Sequence, residues 1–534
     1  MKNANAPAAK ELSAMQRNAL MQRAEAEIGR NPRNVAALLT IADLFCAEKS
    51  HASAMSVLLK ALAIQKKNPA VLQRLVSLGN DMDNMAAARK YARKMIEIEP
   101  GNARNHQSLG LILETMGNPA EAIEAFKRAD RLEPHQAQTL HDIGRCYGLQ
   151  GEHEKAVDYF RKALEIDPHY ALALYNYAVS RKFTRQEADD LVARSTQAAG
   201  QDGVRADPGV HANLHFGMGK VLDETGRHAE AFLQFEKANA LRDPKRDTVP
   251  TGVFLNTMAA FSRETFIRFQ GLGNGSDKPV FILGMPRSGT TLAESLCGGH
   301  SKIAAGDEQV FFGLYSSELG SHARAPDAYR KAVDQLSGPK LVELGNRYLA
   351  AMKYIAGDCV HFTDKLPHNF LNIGLISLIF PKAKIILCRR HPLDNCLSLY
   401  SNSMGVYHQQ YKTDLTRLGL YFRQYCQLMD YWKEVLPGRF HEVFYEDLVA
   451  NTENNARAMI AHLGLEWEDG VMQRSGSQRS VRTLSGWQVR QPIYQTSKGK
   501  WRNYDIQLAP VAEALGPYVG NYERELEALS PKRA

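Results

Sequence analysis

The chain has 534 residues, 44% hydrophobic and 23% charged, so we expect a folded protein of at least two domains rather than a disordered chain. The net charge of +8 suits an acidic ligand, but the absence of Lys/Arg clusters interleaved with aromatics argues against a nucleic-acid platform. We find no signal-peptide core and no run of about 18 apolar residues, so the expectation is a cytoplasmic protein without a membrane span. The seven cysteines form no CxxC pair, and the histidines show no HExxH spacing, so neither a zinc site nor a disulfide framework is predicted.

The first part of the chain repeats itself with a period of 34 residues. Three consecutive units end in an acidic residue and a proline, at Pro100, Pro134 and Pro168. Inside a unit, a small residue such as Gly110 is followed by an aromatic one such as Phe126, and a later unit has Gly219 and Phe235 in the same order. Small residues let two antiparallel helices approach, the aromatic ring fills the space between them, and proline ends the unit.

This pattern resembles the tetratricopeptide repeat family over residues 15–245, with an irregular stretch at Phe183–Pro208. The resemblance implies an all-α solenoid. Such an array either binds a protein or peptide partner or serves as a packing and oligomerisation scaffold, and the sequence leaves a homodimer open.

A linker over residues 246–277 separates the array from the rest of the chain. Asn256–Phe269 is predicted to form a helix, and the glycine-rich run from Gly271 to Pro279 predicts a domain boundary before a second domain over residues 278–525.

The second domain opens with a predicted buried parallel strand, Pro279–Gly284, a loop and a helix start. Glycines permit a tight turn whose N–H groups face inward, and the helix start favours an anion. The side chains and backbone that would bind this anion belong to Arg287, Ser288, Gly289, Thr290 and Thr291. A nucleoside-triphosphatase P-loop has lysine where this loop has Thr290, so an ATP site of that kind is disfavoured.

A second anion site is predicted about a hundred residues later. Another strand-like run, Ala383–Cys388, leads to Arg390, and Ser398 follows on a helix-like segment. The two side chains are eight residues apart and could converge on a phosphate monoester.

Together, the loop Pro286–Leu292 and the R-x-P-x-D-x-x-x-S string from Arg390 to Ser398 resemble the 5′-phosphosulfate and 3′-phosphate sites of sulfotransferases. Within that superfamily, residues 278–504 look most like tyrosylprotein sulfotransferases. The resemblance implies an α/β, P-loop-like domain with a mostly parallel sheet. It also implies 3′-phosphoadenosine 5′-phosphosulfate (PAPS) as the sulfuryl donor, with no metal needed.

The resemblance assigns catalytic roles to three further positions. Glu308, in Ala305-Gly-Asp-Glu308, occupies the place of the base that takes the acceptor proton, and Asp307 is the alternative. Lys365 would contact the bridging oxygen and, with Arg287, stabilise the charge that develops on the leaving phosphate.

Late in the chain, Tyr445 resembles the strand-end tyrosine near the adenosine. Ser485 begins a run that matches S-x-x-Q-V-x-x-P, and a closing Lys-Trp pair follows. The resemblance places Ser485 among the candidate catalytic residues. Ser485 and Lys500 are the expected late contacts to the donor phosphates, with Lys498 as the alternative to Lys500.

The sequence thus predicts a PAPS-dependent sulfotransferase whose acceptor is most simply a protein tyrosine delivered by the repeat array. Carbohydrate, lipid and small phenol acceptors remain open. The alternatives of another class are a P-loop nucleotide-binding kinase and an inactive scaffold protein. Thr290 and the second anion site count against a kinase. The presence of all the expected site residues counts against an inactive scaffold; these are Arg287, Glu308, Lys365, Arg390 and Ser398.

Overall fold

In the computed structural model of the chain, residues 12–244, 251–322, 327–473 and 497–529 are described. The chain divides into two compact units, Met1–Ala173 and Leu174–Ala534. This division falls inside a helix. The predicted bounds of the repeat array, the linker and the second domain stay predictions. Ser485 lies outside the described residues.

The first unit is built from helices joined by short turns. In chain order they are α1 Ala14–Arg30, α2 Val35–Ala47, α3 His51–Ile64, α4 Pro69–Asp81, α5 Met85–Ile98, α6 Ala103–Thr115, α7 Pro119–Leu132, α8 Ala137–Gln150 and α9 His153–Ile166, before α10 Ala171–Ser180 at the division. Asparagine side chains cap α2, α4, α5 and α6 by accepting hydrogen bonds from the N–H groups of the first turn. The recurring prolines lie in the turns between helices, as the repeat pattern predicted.

Close approach of paired helices depends on the small residues that the sequence analysis identified. A Cβ atom added to Gly110 would lie 2.5 Å from the Phe126 ring, and one added to Gly144 would lie 2.7 Å from the Phe160 ring. Phe126 itself is fully buried. These contacts confirm the predicted arrangement of antiparallel helix pairs.

The second unit begins with three further helices and a short helical turn. The irregular stretch after Phe183 forms α11 Arg185–Ala199 and α12 Asp202–Arg205, and the repeat-like pair that follows is α13 Pro208–Glu224 and α14 His228–Arg242. Thr184 and Glu187 begin α11 with a capping box. Gly219 and Phe235 pack as in the first unit, because a Cβ at Gly219 would lie 2.3 Å from that ring.

The predicted single helix over Asn256–Phe269 is wrong. The segment forms two helices, α15 Gly252–Ala260 and α16 Arg263–Arg268. The break occurs because Phe261 turns into the core, where a Cβ on Gly374 would lie 2.3 Å from its ring, and Ser262 caps the second helix by accepting from the Thr265 N–H.

A five-stranded sheet forms the centre of the second unit. Its strands are β1 Pro279–Gly284, β2 Ile303–Ala304, β3 His361–Asp364, β4 Lys384–Arg389 and β5 Phe440–Phe444. The strand order is β2-β3-β1-β4-β5 and every pairing is parallel. The predicted class, an all-α repeat region followed by an α/β domain with a parallel sheet, is confirmed.

Helices connect and cover these strands. They are α17 Thr290–Cys297, α18 Phe311–Glu318, α19 Ala328–Asp334, α20 Gly338–Ala356, α21 Ile373–Ile379, α22 Pro392–Tyr400, α23 Val406–Lys412, α24 Leu415–Val435, α25 Tyr445–Ala450, α26 Thr452–His462, α27 Ala509–Leu515 and α28 Tyr518–Leu529. Short 3₁₀ helices span Pro367–Leu371, Asp469–Val471 and Lys500–Tyr504.

Both faces of the sheet are buried, which explains why its central strands are apolar throughout. In β1, Phe281 and Leu283 join the core that contains Trp432 of α24. Val280 and Ile282 point to the opposite core, which is formed with α17 and α26. Across the described ranges, no helix is both long and apolar enough to cross a membrane.

Candidate active site at the carboxyl ends of the strands

All five parallel strands end close to a residue that the sequence predicted for the site. Across the sheet these are Glu308 after β2, Lys365 after β3, the Arg287 loop after β1, Arg390 after β4 and Tyr445 after β5. Because the strands are parallel, their carboxyl ends share one edge, which is where open α/β sheets bind ligands. Residues scattered over about 160 positions of sequence are thus collected along one side of the domain.

The loop after β1 adopts the tight turn that its glycines allow. Gly284 and Gly289 have φ values of +146° and +99°, and Arg287 between them is also left-handed at +71°. A Cβ atom on Gly289 would lie 2.7 Å from the Tyr445 ring. Helix α17 begins directly after the turn, so its first N–H groups lack intrahelical partners and favour an anion.

The two predicted anion-binding groups contact each other. Arg287 donates from Nε to Ser398 Oγ at 3.1 Å, and Arg390 donates from Nη1 to the Arg287 carbonyl at 3.1 Å. The Arg390 guanidinium also lies 4.7 Å from the centre of the Tyr445 ring. The structure therefore brings Arg287, Arg390, Ser398 and Tyr445 together.

Two buried donors in this group have no partner in the part of the chain that the structure describes. They are Ser288 Oγ, on a residue that is 2% exposed, and Arg390 Nε. A hydroxyl and a guanidinium N–H both donate to phosphate oxygens. These donors, the glycine turn and the helix start together fit a ligand with two phosphate groups.

A second cluster forms around Lys365, whose side chain is fully buried. Its Nζ lies 2.9 Å from Glu308 Oε1 and 3.2 Å from Asp307 Oδ1. The side chains of Glu308 and Asp307 are 43% and 37% exposed, so both carboxylates can reach an acceptor in solvent. Burial opposes the charge on Lys365, but the surrounding carboxylates outweigh it and raise its pKa, which keeps the lysine protonated.

Two buried carboxyls of this cluster were not found by sequence reasoning. Glu294 Oε1 on α17 accepts from the Asp307 N–H at 3.0 Å and from Thr363 Oγ1 at 2.7 Å, so it connects the loop that carries Asp307 and Glu308 to α17. Burial raises the pKa of Glu294 to about 7 and that of Asp364 to about 8. A Glu one turn into a helix resembles an ordinary solvent-facing residue in sequence, and only burial distinguishes it.

Glu294 makes the stability of the second unit depend on pH. Its pKa is higher in the folded protein than its ordinary value of 4.5, so stability is greatest at low pH and is lost as the pH rises towards 7. Relative to Glu294→Gln, the wild type should lose about 2 to 3 kcal/mol of unfolding free energy between about pH 5 and pH 8. Urea unfolding followed by tryptophan fluorescence reports the free energy of unfolding of the second unit, because all four tryptophans belong to that unit.

The exposed Glu318 provides the matched control, since Glu318→Gln removes a carboxylate of the same domain that remains in solvent. It measures how replacing an exposed glutamate with glutamine changes the free energy of unfolding in the same assay. A difference between Glu294→Gln and the wild type that stays constant with pH would show that Glu294 titrates as it does in the unfolded chain.

The segment after residue 496 lies against the second predicted anion-binding group. Ser497 accepts at its carbonyl from Arg390 Nη2 at 2.9 Å, and its hydroxyl lies 2.8 Å from Tyr445 Oη. Asp394, which the R-x-P-x-D string contains but sequence reasoning gave no role, accepts from the N–H groups of Gly499 and Trp501 at 2.6 and 2.8 Å. This carboxylate fixes the course of the segment.

Of the two lysines in this segment, Lys498 is exposed and Lys500 pairs with Asp223 of α13. A direct contact of either lysine with a donor phosphate stays a prediction. Among the described residues, no group of three or more His, Cys, Asp or Glu side chains is arranged to hold a metal ion.

Comparison with known families agrees with this architecture. Residues 279–469 match the sulfotransferase family, and residues 103–136 and 137–170 match tetratricopeptide repeats. The chain therefore carries tetratricopeptide repeats followed by a sulfotransferase-family domain.

Several known proteins are similar in sequence to part of this chain. An uncharacterized protein of Aquifex aeolicus (strain VF5) is 32% identical over 313 residues, covering 57% of this chain and 41% of the relative, so the chain spans less than half of that protein's length. Protein-tyrosine sulfotransferase 1 of Danio rerio is 23% identical over 309 residues, covering 53% of this chain and 80% of the relative.

Two solved structures are similar to part of this chain. The sulfotransferase domain from the Synechococcus PCC 7002 olefin synthase is 21% identical with a TM-score of 0.32, covering 43% of this chain and 89% of that one. YrrB, a repeat protein with a peptide-binding site, is 17% identical with a TM-score of 0.29, covering 40% of this chain and 97% of that one.

Proposed function

We propose that the protein transfers a sulfuryl group from PAPS to an acceptor hydroxyl. The observation that carries the proposal is the contact between the two anion-binding groups at the strand ends, Arg287 with Ser398 and Arg390 with the Arg287 carbonyl. A donor with separate 5′ and 3′ phosphates requires two such groups side by side. An NTP-using P-loop protein requires neither Arg390 nor Ser398, and it requires a lysine where Thr290 stands.

When bound, PAPS supplies an activated sulfuryl group, whose transfer leaves 3′-phosphoadenosine 5′-phosphate (PAP). Arg287, Ser288 and the start of α17 would bind the 5′ end, and Arg390 and Ser398 the 3′-phosphate. The Tyr445 ring lies beneath Arg390 and beside Gly289, where it would limit the space for the adenosine.

Proton removal is assigned to Glu308. Its carboxylate is partly exposed and is oriented by Lys365, so it would accept the proton of the acceptor hydroxyl as the oxygen attacks sulfur. Lys365 keeps its positive charge and would stabilise the charge that develops on the leaving oxygen. Asp307 shares the lysine and is the alternative base.

For the acceptor, we propose a tyrosine of a protein or peptide. The distant likeness to protein-tyrosine sulfotransferases supports this choice, and the repeats support a role for the array in binding the polypeptide. In the first unit, side chains connect helices that are not consecutive in the chain. Arg74 of α4 forms an ion pair with Asp43 of α2, and Gln107 of α6 donates a hydrogen bond to Asp142 of α8. These contacts would keep the array rigid and so reduce the ordering cost of binding a partner.

Calorimetric titration with PAP, and separately with ATP and magnesium, tests the proposal. We expect binding of PAP and none of ATP. Binding of ATP alone would indicate a kinase-like protein, and binding of neither would indicate a scaffold. Sulfate transfer from PAPS to panels of tyrosine peptides, glycans, lipids and small phenols then tests the acceptor, and transfer only to non-peptide acceptors would contradict the tyrosine proposal.

A further inference from the structure

The helix pair α13–α14, which continues the repeat pattern, belongs to the same compact unit as the sulfotransferase domain. Its contacts with that domain are made by buried polar side chains rather than by apolar surface alone. Asp223 near the end of α13 is 8% exposed, and Asn239 of α14 is fully buried. Buried polar groups of this kind define one arrangement, because each must find a specific partner.

Asp223 binds the short 3₁₀ helix Lys500–Tyr504 at both of its ends. Its Oδ1 accepts from Tyr504 Oη at 2.7 Å, and its Oδ2 forms an ion pair with Lys500 Nζ. His228 Nδ1 also lies 3.3 Å from this carboxylate. Two donors from one short helix on a single carboxylate fix both the position and the rotation of that helix.

This 3₁₀ helix continues directly from the segment that touches the donor site. Ser497, three residues before Lys500, bonds to both Arg390 and Tyr445. The N–H groups of Gly499 and Trp501, on either side of Lys500, bind Asp394. The segment 497–504 is therefore held by donor-site residues at its start and by Asp223 at its end.

Helix α14 makes a second connection, to the helix that carries Ser398. Asn239 donates from Nδ2 to the Tyr400 carbonyl at 2.9 Å, and Arg242 donates to Ser403 Oγ at 2.8 Å. Tyr400 is the last residue of α22, two positions after Ser398. The same helix pair thus supports both elements that flank Arg390.

We propose that α13–α14 is a structural part of the donor site and that Asp223 is a positioning residue for PAPS binding. The proposal rests on the proposed function and adds to it a residue from outside the matched sulfotransferase region. Asp223 acts through Lys500 and Tyr504, which keep Ser497 in contact with Arg390 and Tyr445. Lys500 then serves as the partner of Asp223 rather than as a direct ligand of the donor.

The test compares Asp223→Ala with Asp189→Ala in the whole 534-residue chain. Asp189 of α11 pairs with Arg227, and its side chain is 58% exposed, so it supplies a matched loss of an aspartate. We expect Asp223→Ala to raise the Kd for PAP and the KM for PAPS about tenfold or more, since it leaves a buried donor and a charge unpaired. The acceptor KM should stay within about twofold, and Asp189→Ala should leave all three constants unchanged.

Hydrogen–deuterium exchange gives a readout that does not require the donor. In the protein without PAP, Asp223→Ala should speed exchange of amides in residues 499–504, whereas Asp189→Ala should not. Tyr504→Phe removes one hydroxyl, so it should also speed exchange in residues 499–504 and raise the Kd for PAP, each by a smaller factor than Asp223→Ala. This milder variant keeps the test valid if Asp223→Ala folds poorly.

The outcomes separate the two proposals. If the wild type binds PAP and Asp223→Ala binds it equally well or more tightly, Asp223 is not a positioning residue, and a freed Lys500 that contacts the donor would explain tighter binding. Unchanged exchange at 499–504 would also overturn the inference. If the wild type does not bind PAP, the proposed function fails and the donor-positioning role fails with it, even if exchange shows the structural coupling.

Discussion

Glu308→Gln is expected to lower kcat about 10²- to 10⁴-fold, the range typical of a lost general base. Glutamine has the same shape and can still accept a hydrogen bond from Lys365, but it cannot take the acceptor proton. Donor binding should be nearly unaffected because Glu308 lies after β2, two strands away from β1 and its phosphate loop. Initial rates with saturating PAPS and calorimetry with PAP measure the two effects separately.

Asp307→Asn is the matched control for this experiment. Asp307 has a left-handed backbone with φ of +58°, which asparagine tolerates, so the substitution changes the charge and preserves the loop. We expect a loss of activity well below that of Glu308→Gln. If Asp307→Asn were the more damaging change, Asp307 would be the base. If Glu308→Gln mainly weakened PAP binding, Glu308 would have a structural role.

Arg390→Ala is expected to raise the Kd for PAP about 100-fold, which corresponds to about 2.7 kcal/mol. The substitution removes the cation proposed for the 3′-phosphate and also the two bonds that hold the Arg287 carbonyl and the Ser497 carbonyl. Because the donor is bound through its 5′ end as well, saturating PAPS should restore much of kcat. Calorimetry with PAP and KM for PAPS measure the effect.

The neighbouring Arg389 offers the control. Its guanidinium pairs with Glu442 and Glu525, so Arg389→Gln should lower the free energy of unfolding without a comparable loss of PAP affinity. A second comparison uses adenosine 5′-phosphosulfate, which lacks the 3′-phosphate. Arg390→Ala should weaken the binding of this nucleotide much less than the binding of PAP, because only the lost bond to the Arg287 carbonyl affects the 5′ end. An equal loss of affinity for both nucleotides would remove Arg390 from the 3′ site.

The Glu308 and Lys365 cluster also limits how the site can be altered. Glu294, Asp307 and Glu308 all act on one buried lysine and together raise its pKa. Removal of Lys365 would leave these carboxyls without their cation, so a Lys365 variant would combine lost catalysis with lost stability. Substitutions of the exposed carboxylates are therefore the cleaner probes of the reaction.

Much of the site was predictable because its residues belong to short local patterns. A strand, a glycine turn and a helix start lie within Pro279–Cys297, and the string from Arg390 to Ser398 spans nine residues. The paired-helix repeats were equally visible, since Gly110 and Phe126 recur at a fixed period. The helix over Asn256–Phe269 was mispredicted because its break depends on a core position for Phe261, which is a tertiary effect.

The sequence by itself determined the two classes of structure, the glycine turn between β1 and α17 and the identities of most candidate site residues, because local backbone geometry and residue chemistry are encoded over a few positions. Only the tertiary structure decided which of these residues meet. Parallel strand order places Arg287 beside Ser398 and Lys365 beside Glu308, burial gives Glu294 its raised pKa, and the packing of α13 brings Asp223 to Lys500 from 277 residues away. Such contacts depend on how distant segments pack, and no local pattern specifies them.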